Sequence, residues 1–122
     1  MIDKKKLKQE FMNMIPPKGV FVFRNEKTGR VFLGSSLNLK NKDVRIKLML
    51  TTGNHFNNAL QVDWNNYGEE AFTYEEAETL ALKDDPNYDY NEDLEILEML
   101  WIDKFRPLSE KCYNQNEKIR LV

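Results

Sequence analysis

Residues 19–36 read GVFVFRNEKTGRVFLGSS, and the reading of this stretch decides the fold. Two short apolar runs, Val20-Phe21-Val22-Phe23 and Val31-Phe32-Leu33, flank the polar segment 24–30, which has Gly29 near its end. Valine and phenylalanine pack well on a pleated surface. Two such runs on either side of a short glycine-containing break predict a β-hairpin. The second run leads into Gly34-Ser35-Ser36 and then into a basic segment. A strand that ends in small residues and opens onto cations is a setting in which a phosphate can approach.

Outward from the hairpin, the N-terminal side predicts a helix over residues 3–14. Leu7, Phe11 and Met14 stand at helical spacing there, Asp3 is a candidate N-cap, and Pro16-Pro17 ends the helix. On the other side, residues 37–50 predict a second helix with Ser35 or Ser36 as its cap. Leu39, Ile46, Met49 and Leu50 can share one face, and Lys40, Lys42, Arg45 and Lys47 spread over the rest. Lys42 and Arg45 lie one turn apart. Such a cluster is either a solvated face or a patch that contacts a nucleic-acid backbone, and spacing does not separate the two.

Residues 51–54 break the pattern, and residues 55–67 predict a third helix with Phe56, Leu60 and Trp64 spaced four apart. Gly68 stops it. Alternation at residues 71–74 predicts a third strand that can continue to Thr79, and residues 83–90 form an acidic loop around Pro86. Asn91-Glu92-Asp93 is a strong helix start for a segment running to Phe105, with Pro107 beyond it. Within that helix Glu98 is the one charge in residues 96–102. A buried carboxylate requires a cation, a metal or a proton; the alternative is that Glu98 lies on the exposed side. The tail, residues 108–122, reads as irregular.

The chain of 122 residues is long enough for one domain with a real core, and 41% apolar with 31% charged residues is an ordinary globular balance. No apolar run approaches the roughly 18 residues of a membrane span, and MIDKKKLKQEFMNM lacks the apolar centre of a secretory signal. The single Cys112 and single His55 speak against a disulfide framework or a zinc cluster and point to a reducing, cytoplasmic setting. The net charge of −2 conceals an asymmetry: residues 1–50 carry 12 Lys and Arg against 4 Asp and Glu, and residues 51–122 carry 6 against 16. Either only one surface is a candidate for phosphates, or the charges are merely distributed for solubility; charge alone does not separate the two.

In this order the pieces resemble the GIY-YIG nuclease superfamily. Gly19-Val20-Phe21 stands where GIY would be, and Phe32-Leu33-Gly34 followed by Ser35-Ser36 where YIG would be. Gly53-Asn54-His55, Leu60-Gln61 and the run Trp64-Asn65-Asn66-Tyr67-Gly68-Glu69-Glu70-Ala71-Phe72 continue the match. Glu98-Met99-Leu100-Trp101-Ile102-Asp103 resembles the helix of the metal-ligand Glu, and Tyr113-Asn114 the closing YN. The resemblance spans residues 19–114. It implies an α/β (α+β) domain with a three-stranded antiparallel sheet flanked by helices over residues 19–122, preceded by an extra N-terminal helix and Pro-Pro linker (residues 1–18) packed on it. It also implies phosphodiester hydrolysis with one Mg²⁺ or Mn²⁺ ion held by Glu98, and a site formed by the positions of Phe21, Phe32, Lys42, Arg45, Glu98 and Asn114.

The chain departs from the pattern where the chemistry lies. Phe21 and Phe32 replace both motif tyrosines, keeping the ring and losing the hydroxyl that could take a proton or bond a phosphate oxygen. Lys42 stands at the helix Arg position and lacks the bidentate fork; Arg45 is one turn on. Ile46 stands where many members have His. Losing one transition-state donor costs about 10²–10³ in rate and losing a general base roughly 10²–10⁴. Tyr67, Tyr74 and Tyr113 are the tyrosines that could bring a hydroxyl back from elsewhere. The first reading is therefore a binding module for DNA, with RNA as the second class, gripping backbone through Lys40, Lys42, Arg45 and Lys47 together with Lys4, Lys5, Lys6 and Lys8, and impaired in cleavage. The second is an active metal-dependent endonuclease with altered catalytic groups. The third is an interaction module using the acidic 69–98 region.

Overall fold

A computed structural model describes residues 3–105 and 112–114. The elements run α1 (Lys4–Met14), β1 (Gly19–Asn25), β2 (Val31–Ser36), α2 (Lys42–Thr51), α3 (Asn58–Tyr67), a 3-10 turn at Glu69–Ala71, β3 (Phe72–Thr79) and α4 (Asn91–Phe105). The strands form one antiparallel sheet in the order β2-β1-β3. Within the hairpin Phe21 lies opposite Gly34, and Phe23 opposite Phe32. This is the sheet with flanking helices that the sequence predicts.

β1 is the central strand and is covered on both faces, which is why it reads as an unbroken apolar run rather than an alternation of apolar and polar residues. The period of two still sorts its side chains. Phe21, Phe23 and Phe32 share one core with Leu39, Ile46, Leu50, Leu60, Trp64, Phe72 and Tyr113. Val20, Val22, Val31 and Leu33 point the other way and pack with Ile102, Leu97 and Trp101 of α4. Aromatic residues thus fill the layer beneath α2 and α3, and aliphatic residues the layer beneath α4.

Two glycines are required by close approach. A Cβ on Gly19 would lie 2.0 Å from the backbone oxygen of Glu78, so only glycine lets β3 pair there. A Cβ on Gly34 would lie 2.4 Å from Cζ of Phe21, so the Phe21 ring covers the backbone at this position.

The second helix begins later than the sequence predicts. Ser36 does not cap it: the Ser36 hydroxyl accepts from the Asn38 N–H (3.0 Å) and donates to the Asn38 carbonyl (2.8 Å), closing a local turn. The Leu39 N–H donates to the Pro17 carbonyl at 2.9 Å, and Asn41 takes a left-handed φ of 60°, so helical geometry starts only at Lys42. The third helix also starts late, at Asn58, because the Asn57 carboxamide accepts from the Leu60 N–H at 3.0 Å. His55 and Phe56 therefore lie in the preceding loop. Phe56 is 68% exposed and does not continue the buried row of Leu60 and Trp64.

The first helix forms as read, with the Asp3 carboxylate accepting from the N–H groups of Lys5 and Lys6. Of the tail, only residues 112–114 fall within the described residues. There Cys112 bridges Val31 in parallel sense, and the Tyr113 N–H donates to the Val31 carbonyl at 2.8 Å. This short strap covers the outer edge of β2. No helix among the described residues is long and apolar enough to cross a membrane.

Candidate functional site

The candidate site is built around Phe21 and Phe32 of the aromatic layer. Both rings are buried, at 2% and 4% exposure, and their centroids lie 6.1 Å apart. Hairpin pairing sets this juxtaposition: Phe32 lies opposite Phe23, and Phe21 lies over Gly34 two residues further along β2. Above the pair sits α2, whose Lys42 ammonium is 5.8 Å from the centroid of the Phe21 ring. A cation over an aromatic face is held by the ring quadrupole while its remaining donors stay free to meet an anion.

Tyr74 of β3 stacks on Phe21 with centroids 5.7 Å apart. Its hydroxyl is buried and has no hydrogen-bond partner among the described residues. Burial pushes the phenol pKa up to about 12, with the carboxylates of Glu76 and Asp43 adding to the shift. At neutral pH Tyr74 is therefore a hydrogen-bond donor and not a base.

His55 packs edge-on against Phe32, with centroids 5.0 Å apart. Its Nδ1 accepts from the Asn57 N–H at 3.0 Å, which puts the proton of the neutral imidazole on Nε2. Burial first, and then the charge of Lys42, hold its pKa below the usual histidine value. Phe56 stacks on His55, with centroids 4.7 Å apart.

Glu98 approaches from the other layer. It is 9% exposed, and the Ser35 hydroxyl donates to its carboxylate. Ser35 follows Gly34 on β2, and the strand period turns it to the α4 side. The cation of Lys42 and the carboxylate of Glu98 thus meet the end of β2 from opposite layers. Asn114 acts on the same strand: its Nδ2 donates to the Leu33 carbonyl (2.7 Å) and its Oδ1 accepts from the Leu33 N–H (2.8 Å). Both ends of this amide hold β2 at Leu33, and Ser35, two residues on, carries the contact to Glu98.

The structure thus groups Phe21, Phe32 and Lys42, and joins Glu98 and Asn114 to one strand. Arg45 and Lys40 are exposed, and Lys47 faces Glu69 at 3.9 Å, which partly offsets its charge. Ile46 is a core residue, so an imidazole there would have to displace apolar packing. The imidazole that does reach the aromatic pair comes from the loop before α3. Sequence periodicity had assigned His55 to a helix, and the signal that locates it is Asn57 as a cap two residues later. Tyr74 was one of three candidate tyrosines; its place opposite Phe23 in the β1–β3 pairing selects it.

Among the described residues no three His, Cys, Asp or Glu side chains converge. The donor set fits a hard divalent ion only in the form magnesium favours, with one carboxylate, Glu98, and the other positions filled by water and substrate phosphate.

No protein-family model matches the chain, and no curated protein matches it either. Two solved structures do match. One is the catalytic domain of the intron endonuclease I-TevI in a mutant form, with TM-score 0.68 and 19% identity over 84% of this chain and 96% of that one. The other is the catalytic domain of the homing endonuclease I-TevI, with TM-score 0.66 and 20% identity over 82% of this chain and 99% of that one. The chain has the GIY-YIG-like fold of these endonuclease domains.

Proposed function

We propose that this chain is an endonuclease-like protein of the cytoplasm that binds nucleic acid, DNA in the first place and RNA as the second class, with phosphodiester hydrolysis impaired or lost. The observation that carries this reading is the buried Phe21–Phe32 pair under the Lys42 ammonium. The cation that would grip a phosphate is retained over Phe21, while neither ring of the pair has a hydroxyl to activate water. Tyr74, protonated up to a pKa of about 12, can donate to a phosphate oxygen but does not take the place of a base. Arg45 on α2 and Lys40 just before the helix are exposed and add cations beside Lys42 for contacts to a nucleic-acid backbone.

A second reading, an active Mg²⁺- or Mn²⁺-dependent endonuclease, is favoured by the burial of Glu98 and its bond from Ser35. Glu98 would hold the ion, which supplies charge neutralisation at the phosphate and a more acidic water when bound. Lys42 would then orient the phosphate, and the Nε2–H of His55 would donate to an oxygen of it.

Incubation of supercoiled and linear DNA with Mg²⁺ or Mn²⁺ separates the two. Wild type is expected to give a salt-dependent mobility shift with intact DNA. Cleavage that disappears in Glu98→Gln would establish the second reading. Absence of both binding and cleavage would leave the acidic 69–98 surface as the functional face.

A further inference from the structure

Phe56 is the feature that the nucleic-acid reading does not absorb. A single exposed apolar side chain is ordinary on a protein surface. Phe56 differs in being fixed. One face of its ring stacks on the buried His55 at 4.7 Å, and the ring packs edge-on against Phe32 at 5.7 Å. His55 is itself held by the Asn57 N–H, and the Asn57 side chain caps α3 and donates to the Tyr113 carbonyl at 2.8 Å. The exposed ring therefore stands on a rigid base, and 68% of its surface faces solvent. A ring already ordered loses little side-chain entropy when a second planar group stacks on it.

The neighbourhood narrows what that group is. Phe56 touches the same Phe32 that packs on Phe21, and the ammonium of Lys42 lies over Phe21. A flat apolar platform joined by ring contacts to a ring that carries a cation is complementary to a nucleotide, with its planar base and anionic phosphate. In a continuous duplex the base faces are covered by their neighbours. A base inside a continuous duplex cannot use the platform, whereas an unpaired or extruded base can.

We propose that Phe56 is a stacking platform for an unpaired base, so that the site takes single-stranded or locally opened nucleic acid in preference to continuous duplex. This inference rests on the nucleic-acid reading above and names its substrate class. Phe56 sets specificity here, and Lys42 supplies the attraction to backbone.

The test uses the full chain and an oligonucleotide with 2-aminopurine in its centre, alone and annealed to its complement. Stacking on Phe56 is expected to change the fluorescence of the single strand and leave that of the duplex unchanged. Phe56→Ala is expected to weaken single-strand binding roughly 5- to 150-fold and to leave duplex binding nearly unaltered. Phe56→Trp is expected to keep single-strand binding. An equal loss for both forms, or no loss for the single strand, would overturn the assignment while the nucleic-acid reading stands. Failure of wild type to bind either form would overturn both. Circular dichroism of Phe56→Ala separates a lost platform from a lost fold.

Discussion

A phenol and an imidazole flank the Phe21–Phe32 pair, and the surroundings of each limit what it can do. The Tyr74 hydroxyl is buried with no partner among the described residues. An unsatisfied buried hydroxyl costs about 1–3 kcal/mol, so Tyr74→Phe is expected to raise the unfolding free energy by roughly 1 kcal/mol in a urea titration. A loss of stability would mean that the hydroxyl has a partner in the folded chain. For His55 the sign follows from its lowered pKa. The unfolded chain takes up the proton first as pH falls below 6.5, so stability is complete above 6.5 and declines towards the lower folded value. Protonation also removes the acceptor for the Asn57 N–H. Because the sequence has one histidine, His55→Gln should flatten this part of the urea midpoint against pH. The hairpin residues were legible from sequence because strand period and glycine spacing act locally. The positions of Tyr74 and His55 were not, since they depend on β1–β3 register and on a loop conformation.

At the scale of elements, the starts of α2 and α3 show which local signals prevail. Two serines before an apolar, basic run favour a cap, yet the backbone bond from Leu39 to Pro17 and the Ser36–Asn38 turn hold that segment out of the helix. These are tertiary and turn contacts that helical periodicity does not see. The delayed start leaves Lys42 in the first turn of α2, beside Phe21, with Lys40 outside the helix. If α2 presents the backbone-binding face, Lys42→Ala and Arg45→Ala should each reduce the slope of log affinity against log salt by about one, without altering sequence preference. An unchanged slope in both variants would remove α2 from the interface. Asn114 tests a different element. Its carboxamide satisfies both backbone groups of Leu33, so Asn114→Ala leaves a donor and an acceptor without that partner. A loss of at least about 2 kcal/mol is expected in denaturant unfolding. A loss under half that size would show that the strap adds little to β2.

On the scale of the whole molecule, two layers close on one sheet, and residues 112–114 fasten its outer strand to the helical side. Tyr113 makes the fastening. Its ring lies in the aromatic core, its hydroxyl donates to Asp63 of α3 at 2.6 Å and accepts from Asn25 of β1 at 3.2 Å, and the Arg30 guanidinium sits 4.2 Å from its ring centroid. One phenol thus joins the end of β1, the helix α3 and the strap, three parts far apart in sequence. Burial, followed by the bond to Asp63, pushes its pKa up to about 12. Tyr74, also near 12, adds to the same effect. Both folded values lie above the unfolded value of 10.0, so the unfolded chain loses these protons first as pH rises. The stability they contribute is complete below pH 10 and is lost progressively as pH climbs towards 12. Wild type should therefore show a falling urea midpoint across this window. Tyr113→Phe should be less stable at neutral pH, having lost its bonds to Asp63 and Asn25, yet should fall less steeply above pH 10. The double variant Tyr74→Phe, Tyr113→Phe should fall less steeply than either single variant, with the upward shift of Tyr88 still contributing. An alkaline decline as steep in the double variant as in wild type would show that neither buried phenol couples folding to pH.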